Sequence, residues 1–100
     1  MSQRALRLDP YLVDTLMRDL VGHDRAPSAF VVYLWFWRRT HAQGRKTVGA
    51  SLGDIAHATG LSKSSVQNAV RRLSRRRLVT AFRAGPTLAP VYTVNETWKR

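Results

Sequence analysis

Between Ser62 and Arg75 the stretch "SKSSVQNAVRRLSR" brings three kinds of hydrogen-bonding group close together. Gln67 and Asn68 carry amides, in which a donor and an acceptor lie side by side. Arg71, Arg72 and Arg75 carry planar guanidinium forks, and Ser62, Lys63 and Ser64 add hydroxyls and an ammonium. An amide can pair bidentately with an adenine edge and a guanidinium with a guanine edge, while serine and lysine reach phosphate oxygens. The wider stretch from Gly60 to Val79 holds six basic residues and no acidic one. A merely solvated helix face would interleave glutamates with its lysines and arginines at a spacing of four.

These groups form one surface only if a helix gathers them. At about 100° per residue, a helix over Lys63–Arg76 puts Val66, Val70 and Leu73 on one side with Ala69 beside them. Ser64, Asn68, Arg71 and Arg75 fall opposite, flanked by Gln67 and Arg72. Ser62 is placed to cap this helix. Upstream, Ser51 and Asp54 stand as S-x-x-D before "IAHAT", the signature of a capped start for a short helix over 52–59. Gly60 suits the sharp turn between the two, where a positive φ is easiest without a Cβ. Two short helices joined through such a turn make a helix-turn-helix, whose second helix can enter a major groove.

The remaining elements must support that pair. "PYLVDTLMRDLV" predicts a first helix over 10–21, with Asp9 as cap, Pro10 in the first turn, and an apolar stripe of Leu12, Val13, Leu16, Met17, Leu20 and Val21. "GHDRAP" breaks it. A second helix over 28–42 is apolar all round its middle, which predicts burial on every side, chiefly in the core and with room for a subunit contact. Gly44 ends it, and "TVGA" is a short strand candidate. "LVTAFRA" and "VYTVN" read as two further strands, joined by the loop "GPTLAP". The expected fold is mainly α with a small β-wing, in the order α-α-β-α-α-β-β. It is one domain over 1–100, with an N-terminal helix in 9–22 that covers the core or pairs two subunits, and the wing-bearing unit in 28–95.

Composition narrows the function classes. The 100 residues carry 17 Lys/Arg against six Asp/Glu, a net charge of +11, with +4 in the first half and +7 in the second. Such an imbalance predicts attraction to polyanions. There is no cysteine, which excludes disulfides, thiolate chemistry and cysteine-ligated zinc. His23, His41 and His57 lack ligand-like spacing, and Asp9, Asp14, Asp19 and Asp24, five apart, rotate around a helix rather than gathering. No acid–base pair, activated nucleophile or phosphate-cradling glycine loop is visible, so neither an enzyme nor a cofactor is expected. The start lacks a secretory pattern, and the nine-residue run Ala29–Trp37 is too short to span a bilayer. A cytoplasmic protein is expected.

The segment "SLGDIAHATGLSKSSVQNAVRRLSRRRLV" resembles the winged helix-turn-helix of bacterial transcription regulators and replication-initiator-like DNA-binding domains. The resemblance spans Ser28 to Asn95, and Ser51–Val79 is its specific part. It implies double-stranded DNA as partner and a place on the bacterial nucleoid. Ser62, Lys63 and Ser64 would then meet DNA at the amino end of a recognition helix. Gln67, Asn68 and Arg71 would face base edges, Arg72 and Arg75 would meet phosphates, and Arg83 with the loop to Pro90 in the wing "FRAGPTLAPVY" would touch the flanking backbone or the minor groove. The family often has Gly where this chain has Arg77, which predicts a different ending for the recognition helix. The resemblance further implies a homodimer through residues 10–21 and 28–42, since paired half-sites double the contact. Protein docking in a replication, partition or phage assembly, and RNA binding, are the competing readings.

Overall fold

The computed structural model describes residues 5–96. The chain opens with a helix of widened turns, whose two π-helical stretches are Leu12–Leu16 and Arg18–His23. Its hydrogen bonds run five residues back, as from the Met17 amide to the Leu12 carbonyl and from the Asp24 amide to that of Asp19. Asp9 caps it through the Tyr11 amide at 2.9 Å. Helices α1 (Pro27–Arg39), α2 (Leu52–Thr59) and α3 (Lys63–Arg75) and strands β1 (Thr47–Gly49), β2 (Val79–Phe82) and β3 (Val91–Val94) follow in the expected order. A 3₁₀ turn over His41–Gln43 extends α1, and Gly44 ends it with φ of 72°.

α1 is the hub. Tyr33 and Phe36 are fully enclosed, and Val32 and Trp37 lie beside them in the core. Packing this much aromatic area supplies most of the drive to fold, but each polar tip then needs a partner. The Tyr33 hydroxyl donates to the Asn95 carbonyl at 2.7 Å, and Trp37 Nε1 donates to the Arg7 carbonyl at 2.8 Å. Burial pushes the Tyr33 phenol well above its usual range. His41 Nε2 pairs with the Val94 carbonyl at 2.7 Å, which ties the end of α1 to β3. The helix is not buried all round: Val31 is 39% exposed, and Trp35 is half-buried beneath the Arg39 guanidinium.

Leu12, Leu16 and Leu20 of the N-terminal helix join the same core, whereas Val13, Met17 and Val21 stay exposed. The wide stripe of the sequence therefore splits into a buried seam and an open flank. The helix lies on α1 with nothing among the described residues stacked on its far side.

The three strands form one antiparallel sheet in the order β1-β3-β2. Val48 pairs with Tyr92, and Val79 with Val94, so these side chains share the core-facing side. Tyr92 meets Phe36 with ring centroids 4.9 Å apart. Phe82 pairs with Val91 on the outer face, where both are exposed.

A helix-turn-helix interface and its wing

α2 begins with a reciprocal capping box. Ser51 Oγ accepts the Asp54 amide, and the Asp54 carboxylate accepts the Ser51 amide, both at 3.0 Å. These bonds hold the Asp54 carboxyl below its ordinary range. The helix ends at Gly60, left-handed with φ of 81°, whose amide reaches back to Ala56. Ser62 then caps α3 by accepting the Ser65 amide at 3.1 Å. Its hydroxyl also meets those of Ser64 and Ser65 at 3.1 and 3.0 Å, giving the amino end of α3 a cluster of three hydroxyls.

Val66, Ala69 and Leu73 bury one side of α3, and Val70 is half-buried beside them. That seam orients everything else. Ser64, Gln67, Asn68, Arg71 and Arg75 are exposed, while Arg72 is half-buried on the side towards Asp24. Gln67, Asn68, Arg71 and Arg75 make no side-chain hydrogen bond or ion pair with another described residue. Their donors and acceptors are thus left for solvent or a ligand, and no acidic side chain lies on the helix.

Arg76, by contrast, is engaged. Its Nε and Nη2 donate to the two carboxylate oxygens of Asp24 at 2.8 and 3.0 Å, a bidentate fork spanning 52 positions of sequence. The Asp24 carboxylate is only 6% exposed and also accepts from His23 Nδ1 at 2.9 Å. The Arg76 fork, helped by His23, draws the Asp24 pKa down to about 2 against the cost of burial. The periodic reading of the four aspartates, which saw only their rotation around a helix, missed this role for Asp24. The available signal was its position in the "GHDRAP" turn, outside the helix proper.

Arg77 corrects the expected helix ending. It adopts the left-handed conformation, φ 59°, that the family's glycine would have taken. The Arg77 amide bonds the Ser74 carbonyl at 3.0 Å and the Leu78 amide the Leu73 carbonyl at 2.9 Å, a complete Schellman closure. Leu73 and Leu78 are both buried, and Asn95 Nδ2 donates to the Arg77 carbonyl at 3.1 Å. The closure and its apolar contact hold the turn despite the Cβ, so the wing is entered in the usual way.

In the wing, Arg83 is exposed and its Nη1 donates to the Pro86 carbonyl at 3.3 Å. Arg83 and Lys63 line one cleft of about 460 Å³ between the wing, the first turn of α2 and the amino end of α3. Lys63 lies across Gly53, where an added Cβ would stand 3.4 Å from its Cε. Ser51, Leu52 and Gly53 line this cleft as well, a contribution that reading the "SLGD" segment only as a cap overlooked. The cleft joins the wing cation to the helix cation, while Gln67, Asn68, Arg71 and Arg75 lie farther along α3.

Helices α1 to α3, the last two joined as a capped helix-turn-helix, and a three-stranded sheet ending in a hairpin define a winged helix-turn-helix. The chain belongs to the helix-turn-helix domain family, whose model matches residues 26–79, from the start of α1 to the first residue of β2. No curated protein and no solved structure matches the chain. Membership suggests DNA binding by a module that is typically non-enzymatic. The N-terminal helix and most of the wing lie outside the matched stretch. Among the described residues there is no cluster of metal-ligating side chains, and no helix long and apolar enough to cross a membrane.

Proposed function

We propose that the chain binds double-stranded DNA sequence-selectively through α3 and acts as a small transcriptional regulator on the bacterial nucleoid, in the cytoplasm. The observation that carries this reading is the exposed, carboxylate-free face of Gln67, Asn68, Arg71 and Arg75, oriented by the Val66–Leu73 seam. Gln67, Asn68 and Arg71 read base edges in the major groove. Arg72 and Arg75 meet phosphates, Ser62, Lys63 and Ser64 meet the backbone at the amino end, and Arg83 does so from the wing. Two copies acting together would match neighbouring half-sites.

Arg71→Ala should cost about 1–3 kcal/mol and relax preference at one base pair, whereas Arg75→Ala should weaken all sequences alike. Equal losses on every sequence would remove the base-reading role of Arg71. Selection from random duplexes should return an enriched motif, and affinity should fall steeply with added salt. Docking of a protein partner is the second reading. The apolar run Phe30–Trp37 gives it no support, since Phe30, Val32, Tyr33, Phe36 and Trp37 are buried. What favours it is Phe82, 66% exposed on the outer face of the sheet. Partner capture that survives the triple change Asn68/Arg71/Arg75→Ala, with no duplex bound by the wild type, would replace the first reading by the second. Competition between duplex DNA and structured RNA separates the RNA alternative.

A further inference from the structure

The strand order leaves β1 at an edge of the sheet. The Val94 amide bonds the Lys46 carbonyl and the Ala50 amide the Pro90 carbonyl, at 2.9 and 3.1 Å. In this register Lys46, Val48 and Ala50 face β3, so the amides and carbonyls of Thr47 and Gly49 point outward. None of these four groups bonds to another described residue. A pocket of about 390 Å³ opens beside the end of that edge, between β1, α1 and α2. We propose that the edge accepts an extended, acidic segment of a partner protein, one of whose apolar side chains enters the pocket.

The edge supplies the backbone half of such a contact. An added strand pairs with the outward groups of Thr47 and Gly49, and its alternate side chains point towards α1. Gly49 suits this role. Glycine weakens a strand, yet nothing in the fold asks for one here: its φ is not left-handed, and an added Cβ would meet only Val91 Cγ2 at 4.0 Å. A glycine in a strand otherwise marks the close approach of another backbone.

The pocket supplies the side-chain half. Its walls are half-buried Trp35, with the Arg39 guanidinium 5.4 Å from the ring centroid, and Ala50 and Ala58. Charge then fixes the partner. Arg45 and Lys46 stand at the start of the edge and Arg39 beside its end, all exposed and in no ion pair with a described residue. Asp54 is the one acid lining the pocket, and its carboxylate is held by the Ser51 amide at 3.0 Å. A second copy of a chain at +11 brings the wrong charge, and a duplex has no peptide backbone to add. The pocket shares no residue with the wing cleft and includes none of α3, so the site is separate from the helix assigned to DNA.

The probe is a library of random peptides displayed on phage, selected on the full chain with excess random-sequence duplex present. Enriched peptides should carry an aliphatic or aromatic residue flanked by Asp or Glu. In the wild type their binding should slow hydrogen exchange at the Thr47 and Gly49 amides by about tenfold or more. Thr47→Pro removes an outward amide at the first residue of an edge strand, where proline is tolerated. It should weaken peptide binding about tenfold or more, as a strand-pairing hydrogen bond is lost. Thr47→Val keeps the amide and should bind as the wild type does. Ala58→Trp, at an exposed position, fills the pocket and should also weaken binding. Arg39→Glu should reject the acidic peptides and accept versions with lysine in place of the acids. Melting curves check that the variants fold, and exchange in the wild type decides the matter without them. No enriched peptide, unprotected Thr47 and Gly49 amides, or equal binding by Thr47→Pro and wild type overturns the proposal. Peptides lost on Asn68/Arg71/Arg75→Ala but kept by Thr47→Pro lie on α3, which overturns it too. None of the edge and pocket variants alters α3, so their failure leaves the DNA-binding reading standing, and a chain that bound no duplex would leave this site untouched.

Discussion

Arg77 is a residue with a side chain in a place built for one without. At φ 59° its Cβ crowds the following carbonyl oxygen, a conformation that costs an L-residue about 1–2 kcal/mol. Arg77→Gly removes that strain but gives the unfolded chain more freedom, which returns about 0.4–1 kcal/mol of the gain. The net expectation is a stabilisation of about 0.5–1 kcal/mol. The groups that fix the turn are all backbone or distant: the Ser74 and Leu73 carbonyls, and the Asn95 amide on the Arg77 carbonyl. None is disturbed by losing the side chain, which is exposed. In a domain of this length the gain corresponds to a rise in melting temperature of about 2–8 °C. Removing one cation from a chain at +11 would also relieve some repulsion, so Arg77→Ala is the control. Alanine removes the charge and keeps the Cβ. Thermal melts followed by circular dichroism should place Gly above Ala, with Ala close to wild type. If Gly does not exceed Ala, backbone strain at the end of α3 is not what limits stability there.

Three further expectations concern the parts that hold α3 in place. Asp24 has a pKa of about 2 when folded, below its ordinary value of 3.8, so it contributes stability that is complete above the ordinary value and is lost as pH falls through about 2. Asp24→Asn should cost about 1 kcal/mol at neutral pH, a modest figure because Arg76 is 36% exposed and partly screened by water. In urea titrations the gap between variant and wild type should close between pH 4 and pH 2; a gap independent of pH would show that the carboxylate charge is not what matters. Leu20→Ala should cost about 2–5 kcal/mol, because Leu20 is fully enclosed between the N-terminal helix and the rest of the core. A cost near zero would mean that the N-terminal helix does not share the domain's cooperative core. Met17→Ala, one helical flank away, should leave stability of the monomer within about 0.5 kcal/mol of wild type.

The legible parts of this fold were those set by local chemistry. Ser51, Asp54, Gly60 and Ser62 fixed the two helix starts and the turn because caps and left-handed glycines act within four residues. The inward face of α3 followed from spacing alone. The widened turn of the N-terminal helix did not, since an apolar repeat of four lies between the α-helical period and the longer one of five-residue hydrogen bonds. Its leucines and its exposed flank were equally apolar, and only the position of α1 decides which is covered. The Asp24–Arg76 fork was illegible for the same kind of reason: its partners lie 52 residues apart and meet only after α1 and α3 have packed. Arg77 shows the converse error, in which a local preference was overruled by a closure that buries Leu78 against Leu73.

The arginine-rich stretch can now be divided by what each member touches. Arg76 is held by Asp24 at the carboxyl end of α3, and Arg77 occupies the turn into β2, so neither is presented like Arg71 or Arg75. A fork at one end and the Ser62 cap at the other brace α3 at both termini, while the Val66–Leu73 seam sets its rotation. Selective contact with a base edge requires that kind of positional control, since a bidentate amide or guanidinium contact tolerates little misplacement. Affinity for a polyanion requires only charge, which the chain has in excess. Loosening the brace should therefore separate the two properties. Asp24→Asn leaves every exposed amide and guanidinium of α3 intact and makes the chain more positive, so binding to random duplex should hold or strengthen. Discrimination among sequences should fall. Measured as the ratio of affinities for a selected and a scrambled duplex, an unchanged ratio in Asp24→Asn would mean that the packed seam alone positions α3.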